Sequence, residues 1–152
     1  MKIGIILLMK HCLKTEEANV FSEMIKDLHL FEICCIKNFK SENCYFLEDL
    51  LQKCENLTLL DVKKNTHDNR AIKAGARFLV YSSSINFIGY FIVRNENESL
   101  NRLLELIQAN NSQIQREYLS HLRSGTFNKN IYNKVFPLED IFLNNNTMSV
   151  KK

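Results

Sequence analysis

Residues 3–9 form a nearly unbroken apolar run, Ile-Gly-Ile-Ile-Leu-Leu-Met, which predicts a buried strand and not a cleaved leader. Over residues 15–28 the pattern changes. Val20, Phe21, Met24, Ile25 and Leu28 recur at helical spacing, and Glu16 and Glu17 suit the first turn of a helix. Residues 31–37 return to a run of β-formers and predict a second strand. Phe46, Leu47, Leu50, Leu51 and Cys54 predict a further helix, and residues 57–62 a short strand. The stretch 63–70 is polar and turn-rich. It predicts a boundary between an N-terminal part, 1–64, and a second part, 70–143.

In the second part, residues 77–82 and 87–94 are aromatic and β-branched and flank a polar segment, which predicts an antiparallel hairpin. Leu100, Leu103, Leu104 and Ile107 make a helical stripe. Asn110–Ser112 interrupts it, and Ile114, Tyr118, Leu119 and Leu122 resume it. Gly125 ends the periodic region, residues 131–136 predict a last strand, and 144–152 form a polar tail. Helices mixed with strands predict an α+β, mixed α/β fold.

The chain has 152 residues, enough for a buried core, and its formal net charge of +3 permits a nucleic acid as partner. No segment reaches the roughly 18 apolar residues of a membrane-spanning helix, so no membrane association is expected. The cysteines, Cys12, Cys34, Cys35, Cys44 and Cys54, are odd in number and include no Cys-x-x-Cys. They read as reduced thiols in an intracellular protein. His11, His29, His67 and His121 have no metal-ligand spacing, so no metal is expected. Gly4, Gly75, Gly89 and Gly125 stand apart, which argues against a glycine-rich phosphate loop, and no cofactor is expected. Ser82–Ser84 lacks the glycines of a nucleophile elbow.

One segment carries more. Lys73-Ala-Gly-Ala-Arg-Phe-Leu-Val-Tyr81 is followed by Phe87-Ile-Gly-Tyr-Phe-Ile-Val93 and by Ser99-Leu-Asn-Arg-Leu-Leu-Glu-Leu-Ile107. This resembles the C-terminal domain of the tRNA-splicing endonuclease family over roughly residues 70–122. There a Lys-Phe-Gly-x-Asp-Phe-Leu-x-Tyr strand precedes a His-x-x-Tyr-x-Val strand and a Leu-rich helix. The resemblance implies metal-free RNA cleavage by a Tyr base, a His acid and a Lys that steadies the phosphate. Tyr81 stands at the base position, Phe87 at the acid position, and Arg116, within Gln113-Ile-Gln-Arg116, at the Lys position. Phe87 transfers no proton, so the resemblance implies a non-catalytic subunit. Lys73, Arg77 and Arg116 would contact RNA, with pre-tRNA and the other endonuclease subunits as partners and the nucleus as location. Leu138-Glu-Asp140 would then belong to a subunit interface. The competing reading is a small α+β interaction module or adaptor without RNA. A degenerate N-acetyltransferase ranks last, because no Gly-containing acyl-carrier loop follows Val93.

Overall fold

The strand of unbroken apolar residues, β1 (Ile3–Met9), takes the place that such a strand requires: the middle of a sheet, with all seven residues buried. A computed structural model describes residues 3–10, 15–38, 54–63, 66–83, 85, 87–93, 100–123 and 135–140. β1 pairs on one side with β2 (Phe31–Lys37) and on the other with β4 (Ile88–Val93). β3 (Leu57–Asp61) joins the outer edge of β2, and the short β5 (Val135–Pro137) joins β4. The sheet order is β3-β2-β1-β4-β5, and all four pairings are parallel.

Parallel neighbours need crossover connections, usually helical, because no tight turn can join them. The described helices are α1 (Thr15–Lys26), α2 (Asp68–Ser83), α3 (Leu100–Ala109) and α4 (Asn111–Arg123). Alternation along β1 assigns its side chains to two cores. Ile3, Ile5, Leu7 and Met9 pack with Ile25 and Leu28 from the α1 side, with Leu103, Leu104 and Ile107 of α3, and with Ile114 of α4. Ile6 and Leu8 face the other way, onto Ala71, Ile72, Ala76 and Leu79 of α2. Gly75 lets α2 sit close: a Cβ there would lie 2.8 Å from Cδ1 of Ile36.

α1 leads from β1 toward the β3 edge, and α3 with α4 leads from β4 toward the β5 edge. Both cover the same face, so these two crossovers have opposite hands. Right-handed crossovers account for about 98% of parallel connections, which makes one of the two an exception. Gly89 matters here. A Cβ on it would stand 2.5 Å from Cδ2 of Leu138, so its bare backbone seats the buried leucine that follows β5.

The mixed α/β class holds, but two expectations are corrected. Residues 77–82 are not a strand; they complete α2, and the strand after them is parallel to β1. The predicted hairpin therefore gives way to a helix–strand unit. Segments 1–64 and 70–143 supply neighbouring strands of one sheet and are not separate units. Residues 46–53 of the expected helix, and the tail 144–152, lie outside the described residues.

Candidate nucleic-acid interface

At about 100° per residue, the buried positions of α2 (Ala71, Ile72, Gly75, Ala76 and Leu79) occupy one side of the helix. Arg70, Lys73, Arg77 and Tyr81 fall on the opposite side, within about 80° of arc, and all four are exposed. They span about 16 Å along the axis. The helix carries no acidic residue after Asp68, which is paired with Lys10. Three cations thus run along one face and end at an aromatic ring that is 82% exposed.

The carboxyl edge of the sheet is the other place where a parallel α/β fold gathers polar groups. Lys10 follows β1 and pairs with Asp68. Lys37 Nζ, at the end of β2, lies 3.7 Å from Oδ1 of Asp61 at the end of β3. The Asn38 amide donates to the Thr66 carbonyl at 3.2 Å. His67 caps α2: its carbonyl accepts from the Ala71 amide and its Nδ1 from the Asn69 amide. Each of these two lysines is answered by an aspartate. Residues 11–14, 39–53 and 94–99 lie outside the described residues.

The residues singled out by the sequence are distributed as follows. Lys73, Arg77 and Tyr81 share the outer face of α2. Phe87, at the acid position that the resemblance implies, is 1% exposed on the opposite face of the sheet. There its ring lies 5.5 Å from Tyr118 and 4.6 Å from Phe136, centroid to centroid. Arg116 is exposed on α4, which covers that same opposite face. The sheet therefore separates Tyr81 from both Phe87 and Arg116, and the three do not form one site. Leu138 is core and not interface, while Glu139 and Asp140 are exposed. Arg70 was missed, because residues 63–70 read as a polar break; extending the Ala71/Gly75/Leu79 period back by one residue adds it.

The three described thiols, Cys34, Cys35 and Cys54, are buried and held in the neutral form. Burial pushes Cys34 up to about 12 and raises Cys35 as well, Cys35 further through its neighbours Cys34 and Cys54. Cys54 is raised by burial against the opposing pull of Lys26. Among the described residues no group of three or more His, Cys, Asp or Glu could hold a metal ion. No described helix is long and apolar enough to cross a membrane.

These features define a parallel α/β protein with helices on both faces of its sheet and a cationic, aromatic-tipped crossover helix. No protein-family model matches the chain, and neither a curated protein nor a solved structure does.

Proposed function

We propose that the chain is an RNA-binding α/β module whose contact surface is the outer face of α2. The observation that carries this reading is the alignment of Arg70, Lys73 and Arg77 with Tyr81 on one exposed face. Cations at such spacing neutralise successive phosphates and release counterions, and an aromatic ring adds a surface for a base. RNA is preferred to duplex DNA because the exposed Tyr81 ring beside the cations suits the unstacked bases that RNA presents in loops and single strands. The narrower reading, a non-catalytic subunit of a tRNA-splicing endonuclease, depends on a strand hairpin over 77–94. That segment contains a helix and a parallel strand, so the contact with RNA is the part retained.

The test is fluorescence anisotropy with labelled RNA at several salt concentrations. Three phosphate contacts give a slope of log K against log salt of about −2. The Arg70→Ala/Lys73→Ala/Arg77→Ala variant is expected to lose at least tenfold in affinity and most of that slope, with its circular dichroism unchanged. Equal binding by parent and variant would sink the proposal.

A second reading, an interaction module without RNA, has one observation in its favour. Tyr90 and Ile92 of β4 and Val135 of β5 stay partly exposed on the α2 side of the sheet. It gains ground if no RNA binds and the chain sediments as more than a monomer.

A further inference from the structure

Resting on the RNA-contact reading, we infer that Tyr81 is a stacking platform for an unpaired base, so that this face takes single-stranded RNA in preference to duplex. Among the described residues the large hydrophobics with open surface are Leu30 at 40%, Leu119 at 43% and Tyr81 at 82%. Tyr81 thus exposes about twice the fraction of either leucine, and it does so one helical turn beyond Arg77 and two beyond Lys73. A base laid on the ring brings its own phosphate toward the Arg77 guanidinium, whose planar fork suits a phosphate.

The geometry discriminates between strand states. In a duplex, both faces of an internal base are already covered by its neighbours, and an exposed ring gains little from it. An unpaired base has a free π-face, and burying it against tyrosine is favourable whatever the base. The helix lies lengthwise on the sheet, so its exposed side forms a ridge along which a strand can run, cations first and ring last. The occupant this predicts is a short unpaired stretch, read by backbone charge and one stacked base and tolerant of sequence.

The chain contains no tryptophan, so Tyr81→Trp places a unique fluorophore at the site. This variant is titrated with a ten-nucleotide single-stranded RNA of mixed sequence and with the same sequence as a blunt duplex. Its emission is expected to be quenched by the single strand, saturating at the concentration that saturates anisotropy of labelled RNA. Tyr81→Phe should bind like the parent, Tyr81→Ala about tenfold more weakly, and the duplex more weakly than the single strand. Three results overturn the stacking inference and leave the RNA reading standing: unchanged emission with RNA bound, full affinity in Tyr81→Ala, or equal affinity for the duplex. Binding of neither RNA by the parent overturns both.

Discussion

Lys10, the residue after β1, is ion-paired with Asp68, the first residue of α2, so the end of the central strand is tied to the start of the crossover helix. Both side chains are largely buried, at 27% and 24% exposure, which spares the pair full screening by water. Asp68 also faces the positive end of the helix dipole. The pair and the dipole together place the cost of Asp68→Asn at about 1–2 kcal/mol. Lys10→Met keeps the packed stem and loses only the pair, for about 0.5–1 kcal/mol. Urea midpoints at low and high salt check both numbers. A larger loss in Lys10→Met than in Asp68→Asn would show that the dipole contributes nothing.

Asn56 has a comparable role on the other face. Its amide nitrogen lies 2.9 Å from the Ile25 carbonyl, 3.0 Å from that of Leu28 and 3.3 Å from that of Phe31. One side chain thereby collects the last carbonyls around α1 and the first of β2, while the backbone carbonyl of Asn56 accepts from the Ile33 amide. Asn56→Ala is expected to cost about 2 kcal/mol, roughly one for each of the two amide N–H donors lost. Asn56→Asp should cost more, because a carboxylate would face three carbonyl oxygens. Chemical denaturation ranks the two. A milder effect of aspartate would refute the donor assignment.

The buried thiols set a pH limit. The neutral form is the one buried at Cys34, so above pH 9 unfolding releases a proton that the folded state keeps until about 12. Stability contributed by Cys34 is complete below pH 9 and falls by about 1.4 kcal/mol per pH unit across that window. Cys34→Ala removes this component. The stability of parent and variant, measured by urea at steps between pH 8 and 11, should converge as the pH rises. Parallel curves would rule the thiol out as the titrating group.

Much of the sheet was legible in the sequence. β1 and β2 fall where their apolar runs begin and end, because a strand buried on both faces needs no alternation to announce itself. The failure at 77–82 has a definite cause. Phe78-Leu-Val-Tyr81 is a run of β-formers, yet Ala71, Ile72, Gly75, Ala76 and Leu79 already define a helical face against the sheet. A chain leaving β3 to enter β4 in parallel has to cross by such a helix, and packing outweighs local propensity. Strand direction is not written in short apolar runs, so the antiparallel expectation had nothing to correct it. On the site side, Lys73, Arg77 and Tyr81 were found for a strand and turned out to be neighbours on a helix. Phe87 and Arg116 were placed with them by a pattern that the sheet separates.

The central position of β1 has a consequence in time. Gly4 pairs with Ile88, 84 residues later, whereas Ile3 pairs with Phe31 after only 28. A ribosome adding about 5–20 residues per second leaves one edge of a fully apolar strand open for on the order of 10 seconds before its second neighbour exists. Such an edge is a template for the wrong partner. The same strand that anchors the finished sheet is therefore the most hazardous segment of the nascent chain, and crowded synthesis should aggregate this protein more readily than heating its folded form.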